Sequence, residues 1–374
     1  MPSPASSRLS YIDWMRGLAC LLMFQWHSYD AWLNPASRKT TFFMWNQLLG
    51  TFPAPLFLFL AGVSSAIVVD RLREKGVSAD QIARSTIRRG LEVWGLGVAF
   101  HLQDYILNFP WAHWSDLFLV DILNTLGLAM MLMGVLARLA AGRKGTEVAR
   151  ARWLTASAAL VVGLAIPLLT PPLWTTWRPG FLTWPLEAYI NSVPHGGLFP
   201  IFPWVGFAFF GMATGLVLRC AWARRHEAAA LLLFGAGGLA LEQGAHWLDA
   251  QPFQLYAVYD FWHTSPNFFL MRVGMLWMIL LGAYVWCRWG LGTRGFSPVI
   301  QFGNTSLLVY WVHIEFVYGR FSILPKGVQS IRGASIGLAI IILGMLGLSL
   351  LRTDVLPRAT WWPGKRKPAI SASA

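Results

Sequence analysis

Asp13, Arg16 and His27 share one apolar run, residues 11–33. An acid, a guanidinium and an imidazole are costly in hydrocarbon, so each calls for a partner, an aqueous cavity or a chemical task. At helical pitch, the eleven steps from Arg16 to His27 return to within about 20° of the same direction and climb roughly 16 Å. The two residues therefore share a face, and Asp13, one turn before Arg16, can pair with it and spare its charge. A neutral imidazole at that depth could take a proton from an attacking hydroxyl or amine, or could itself attack and carry an acyl group. The bland alternative is a histidine hydrogen-bonded inside a helix bundle, and the company of Asp13 and Arg16 weighs against it.

The elements that must position these residues are membrane helices. The chain has 374 residues, 56% hydrophobic and 13% charged, whereas about a quarter of a soluble domain is charged. An all-α, polytopic membrane bundle is the expected fold class. The net charge of +13 lies mainly in short segments between apolar runs, which fits orientation in a lipid bilayer and not a nucleic-acid partner. Runs long enough for the ~30 Å hydrocarbon core occupy 11–33, 43–69, 90–109, 117–139, 153–169, 199–218, 228–248, 267–287, 299–321 and 334–351, about ten transmembrane helices.

Basic segments near 70–89, 138–152, 219–226, 288–297 and 352–374 alternate with segments poor in Lys and Arg. The positive-inside rule then places both termini in the cytoplasm, with 1–10 and 353–374 as tails of a single domain spanning 1–374. The first run lacks a small-residue cleavage pattern and is expected to stay in the mature chain. Pro53, Pro55 and Pro203 mark kinks or breaks. Cys20, Cys220 and Cys287 have no paired spacing, which argues against a disulfide framework or a thiolate metal site.

Further polar residues follow helical spacing. Ser306, Tyr310 and His313, four and three apart, form one stripe with Asn304 just before it. Asp121 and Asn124 make an i,i+3 pair whose structural and functional readings are balanced. Under the topology above, seven of the eight histidines fall on the outer side, together with tryptophans such as Trp184 and Trp262. Most such tryptophans belong to an aromatic belt; some could stack on a sugar ring beside His195, Trp262 and His263. His101 with Asp104, His246 with Asp249 and Asp260 with His263 are each three apart, yet no HExxH or cysteine cluster accompanies them, and no metal is expected. No GxSxG elbow or phosphate-binding loop occurs, which removes serine hydrolysis and nucleotide hydrolysis.

Several motifs together resemble the transmembrane acyltransferase superfamily. The segment Tyr11-Ile-Asp13-Trp-Met-Arg16-Gly-Leu-Ala followed by His27 is similar to the first helix of acyltransferase-3 enzymes and of the heparan-alpha-glucosaminide N-acetyltransferase catalytic-domain group. Pro55 to Ser64 resembles the second-helix motif. Phe202-Pro203-Trp204-Val-Gly206, Ser265-Pro266 with Arg272-Val-Gly274, and Gly303-Asn304-Thr-Ser306 through His313 are closer to the glucosaminide branch. Glu315 departs from that pattern, where an amide or apolar residue would be expected.

The resemblance implies a bundle that accepts an acyl group from cytoplasmic acyl-CoA, most simply acetyl-CoA, and passes it to an acceptor on the other side. His27 would be the catalytic residue, with Arg16 helping to neutralise the cofactor or fixing the inner end of a polar shaft through the bundle, and Asp13 grouped with them as a catalytic candidate. Coenzyme phosphates would stay at a basic cytoplasmic mouth, where Arg88, Arg89, Arg150 and Arg152 are available. Arg16, Asn304, Ser306, Tyr310 and His313 are further candidates for the coenzyme, and His195, Trp262 and His263 for a carbohydrate or glycan acceptor. A bacterial inner membrane is the expected location, and a homodimer is a form the chain could adopt. The competing reading is a transporter or exporter that uses the same charges as a substrate or proton pathway; against it, the sequence shows no inverted repeat.

Overall fold

A computed structural model describes residues 9–142, 146–177, 180–191, 198–252, 255–256, 260–290 and 295–355. The helices, in chain order, are α1 (Ser10–Trp32), α2 (Thr41–Gly50), α3 (Pro53–Glu74), α4 (Ala79–Asn108), α5 (Ile122–Leu139), α6 (Val148–Thr175), α7 (Trp184–Glu187), α8 (Ile201–Leu218), α9 (Ala221–Arg225), α10 (Glu227–Asp249), α11 (Pro266–Trp289), α12 (Pro298–Asn304), α13 (Ser306–Val317) and α14 (Ile331–Leu350). Among the described residues there is no strand, only an isolated bridge between Leu33 and Gln329. The protein is a polytopic helical membrane protein. A helix covers each of the ten apolar runs, and seven described segments are long and apolar enough to cross a membrane. α1 and α4, which carry buried or flanking charges, are not among the seven, and α13 is shorter than a full span.

Three expected boundaries move. The second run is two helices, because Pro53 opens α3 as its first residue and α2 ends at Gly50. The ninth run is likewise divided, with Thr305 (φ −122°, ψ 21°) between α12 and α13. The basic segment 70–89, expected as a loop, is mostly helix. α4 starts at Ala79 under a Ser78 cap whose side chain accepts from the Gln81 N–H, and its buried residues Ile82, Ala83, Thr86, Gly90, Val93, Gly97 and Phe100 fall three and four apart. One face of the helix is thus apolar from the start, with Arg84, Arg88 and Arg89 off it.

The chain divides into two compact units, residues 1–15 with 51–295 and residues 16–50 with 296–374. In the first unit α3 packs on α8, α6 on α8, α4 on α5 and α10 on α11. The α3–α8 contact is backbone to backbone: a Cβ placed on Gly62 would lie 1.9 Å from the Ala208 carbonyl oxygen. Small residues allow this approach, and it is how helices associate where lipid removes the hydrophobic drive between them.

In the second unit, α1 from Arg16 onward meets α12 and α13. A Cβ on Gly17 would lie 1.7 Å from the Val299 carbonyl oxygen, and the Phe24 ring sits 5.6 Å from Phe302 and 4.9 Å from His313. The end of α1 is closed by chain from 327–329: Gly327 N–H donates to the Ala31 carbonyl (3.0 Å) and Gln329 N–H to that of Trp32 (2.8 Å). These bonds answer carbonyls that a helix end otherwise leaves open. Trp32 Nε1 donates to Ser322 Oγ at 3.0 Å, tying the end of α1 to the chain that precedes that segment.

Candidate functional site

His27 on α1 and His313 on α13 meet, although 286 residues separate them. His27 Nδ1 lies 2.9 Å from His313 Nε2, with the two ring planes within 4° of parallel. His313 is fully buried, and its Nδ1 lies 2.9 Å from the Val309 carbonyl oxygen. A carbonyl can only accept, so His313 carries its proton on Nδ1 and offers the Nε2 lone pair. His27 must then donate from Nδ1, which leaves its own Nε2 as a lone pair. No hydrogen bond to that nitrogen occurs among the described residues, and His27 is only half-buried.

A second polar chain runs beside His27. The Tyr318 ring stands edge-on to it, 5.2 Å between centroids at 66°, and the Tyr318 hydroxyl donates to Asp30 Oδ2 at 2.7 Å. Arg38 reaches Asp30 through Nη1 at 3.4 Å and through a close contact from Nη2 to the Asp30 carbonyl. Asp30 lies three residues after His27 on the same helix, a spacing that puts the two within one turn. That spacing is the sequence signal for Asp30; Tyr318, at the end of α13, has none, because only the tertiary fold brings it to α1.

The other expected site residues are distributed as follows. Asp13 is buried in the first turn of α1 and Arg16 is half-buried one turn later. Of the α13 stripe, Tyr310 is buried with its ring 6.0 Å from His313, Ser306 is half-buried at the start of the helix, and Asn304, across the Thr305 break, is exposed. The break itself is tied to α14, since Thr305 Oγ1 and Ser349 Oγ are 2.5 Å apart and Gln301 Nε2 donates to Ser349 and Thr353 at 2.9 Å. Glu315 is buried further along α13.

The remaining candidates belong to the first unit. Arg88 and Arg89 stand out from α4 and pair with Glu92 at 3.3 and 3.1 Å. Arg152 is not available at a basic mouth. It is buried, with Nε 2.7 Å and Nη2 3.1 Å from Asp70, and Asp70 also takes Arg219 at 2.8 Å. Glu74 completes the group with Arg152 (3.4 Å), Arg224 (3.0 Å) and a close contact to Arg219. Arg73 beside it donates to the Ala137 carbonyl at 2.9 Å and to Thr155 at 3.0 Å.

Asp121 and Asn124 form the capping box of α5, which favours the structural reading of that pair. His263 Nδ1 bonds Asp260 at 2.6 Å next to an exposed Trp262. Burial works against the ionised Asp260 carboxyl, but the His263 hydrogen bond and the Trp262 N–H outweigh it and hold its pKa below the ordinary value. His246 pairs with Glu242 at 3.1 Å, while Asp249 accepts from Asn267 at 3.2 Å and Asp104 from Asn108 at 2.8 Å. His195 lies outside the described residues.

No curated relative matches the chain. A family model, heparan-alpha-glucosaminide N-acetyltransferase, catalytic, matches residues 8–242. The match includes Asp13, Arg16, His27, Arg88 and Arg89 and ends before Trp262, His263 and His313. It covers more than half of the chain, and the chain therefore belongs to the heparan-alpha-glucosaminide N-acetyltransferase catalytic-domain family, a membrane acetyltransferase-type family.

Proposed function

We propose that the protein transfers an acyl group, most simply acetyl, from cytoplasmic acyl-CoA to a hydroxyl or amine of an extracytoplasmic sugar or glycan, with His27 Nε2 as the reacting nitrogen. The observation that carries this is the line Val309 carbonyl, His313, His27, in which each donor is matched to the next acceptor and the last lone pair is left for a substrate. As a general base, Nε2 takes the acceptor proton while the acceptor oxygen or nitrogen attacks the thioester carbonyl. The C–S bond breaks, and the departing thiolate receives that proton back. As an acyl carrier, Nε2 attacks the carbonyl itself and the C–S bond breaks, the thiolate taking a proton from water; the acylimidazolium then yields its acyl group to the acceptor, whose proton returns to water and leaves the ring neutral again. In both forms His27 becomes cationic, and its Nδ1–H bond to His313 strengthens as the charge appears.

Arg16 and the arginines of α4 suit a polyanionic coenzyme, and Trp262 and His263 suit a carbohydrate. Purified full-length protein in detergent, where no two compartments exist, should release free thiol from acetyl-CoA in the presence of an amino sugar. A thiol burst before acceptor is added would select the carrier form. If the wild type consumes no acyl-CoA with any sugar acceptor, or if His27→Ala turns over like wild type, the proposal fails and the transporter reading gains.

A further inference from the structure

Arg272 sits in the second turn of α11 with only 8% of its surface exposed. Its Cζ lies 4.0 Å from the centroid of the Phe268 ring and 5.9 Å from that of Trp204. Among the described residues Nε makes no hydrogen bond and no ion pair includes this guanidinium. All 17 acidic residues of the sequence are described, so every carboxylate that the side chains could offer is accounted for. Arg152, about equally buried, shows what the protein does with such a cation when its place is purely structural: it is given Asp70 and Glu74.

Aromatic faces attract a guanidinium, but they leave its N–H fork unanswered, and that fork matches two oxygens of one oxyanion. The aromatic wall also continues outward. Phe268 packs on Phe261 at 4.9 Å and on Trp262 at 5.0 Å, and Trp262 is 52% exposed. A ring or chain attached to the anion would therefore find a continuous apolar face leading to the surface.

We propose that Arg272 is an oxyanion-binding residue, taking the carboxylate, sulfate or phosphate of a ligand whose body lies along Phe268 and Trp262. The chemistry is shared by an acidic sugar and an anionic lipid headgroup. The inference concerns binding and needs no step at His27, so its failure and that of the acyl-transfer proposal are separable.

The test uses the full chain. Melting temperature is followed against glucuronate, with glucose as the neutral ring, and in nanodiscs of phosphatidylglycerol against phosphatidylcholine. A saturable rise with the anionic partner alone, lost in Arg272→Met and weakened in Arg272→Lys, is expected; which anion acts identifies the source. No rise with either anion, or a rise that persists in Arg272→Met, overturns the proposal. Should Arg272→Met fail to fold, phenylglyoxal labelling of the wild type, mapped by peptide mass spectrometry, decides instead. Protection of Arg272 by the anion and not by its neutral counterpart supports the site, and equal labelling overturns it.

Discussion

Two buried polar groups in this protein are built in opposite ways. Around Asp70 the charges close on one another: two carboxylates and three guanidiniums are mutually paired, tying α3, α6 and α9 together with the end of α8, which Arg219 caps. Around His27 the bonds run in a line from the Val309 carbonyl and stop at a nitrogen with nothing on it among the described residues. A closed group has satisfied its donors and acceptors within the fold, and its worth is stability. A line with an open end still has an interaction to make, and its worth lies in what arrives.

That comparison can be broken. Its largest expected effect is on turnover: His27→Ala should lower acyl transfer by ~10⁴-fold, the upper end of what a positioned base supplies, with its melting curve unchanged. Loss of folding in step with activity would place His27 in the same class as Asp70. Asp70→Ala should instead cost about 3–5 kcal/mol of stability, because it leaves Arg152 buried with its main partner gone. A melting temperature within a degree of wild type would show the cluster not to be closed.

His313→Ala comes next, expected to reduce kcat by ~10²-fold with KM little changed, since the tautomer is no longer imposed on His27; added imidazole should restore part of the rate. Tyr318→Phe keeps the ring against His27 and removes the bond to Asp30, about 1 kcal/mol or a few-fold in rate. The smallest effect is that of Glu92→Ala, whose solvent-exposed pairing with Arg88 and Arg89 is screened by water, so the melting temperature should stay at the wild-type value. A rise in the KM for acyl-CoA on Arg88→Ala without change in stability would sharpen the division by giving those arginines a ligand to serve.

The helical fold was legible because length and apolarity suffice to name a membrane helix, and Pro53 correctly announced a break. The start of α4 was not, since counting Arg84, Arg88 and Arg89 as loop charge hid the three-and-four spacing of Ile82, Ala83, Thr86 and Gly90 on the opposite face. At the site, the face shared by Arg16 and His27 and the stripe through Tyr310 and His313 could be read from periodicity within each helix. That His27 and His313 touch could not, because periodicity says which residues share a face and nothing about which face meets which. Arg152 was misread for a similar reason: a basic residue near a helix end looks available until its tertiary carboxylate is known.

The bond from His313 to Val309 has an unusual genetic consequence. The acceptor is main chain, so the bond itself does not depend on which side chain stands at position 309, although Val309 is fully buried and its side chain is held by packing. A systematic side-chain scan would report the packing of Val309 and never its carbonyl, although that carbonyl anchors the whole line. Only replacement of the amide by an ester at the Val309–Tyr310 linkage, which weakens that carbonyl as an acceptor without altering any side chain, would bring its contribution to light.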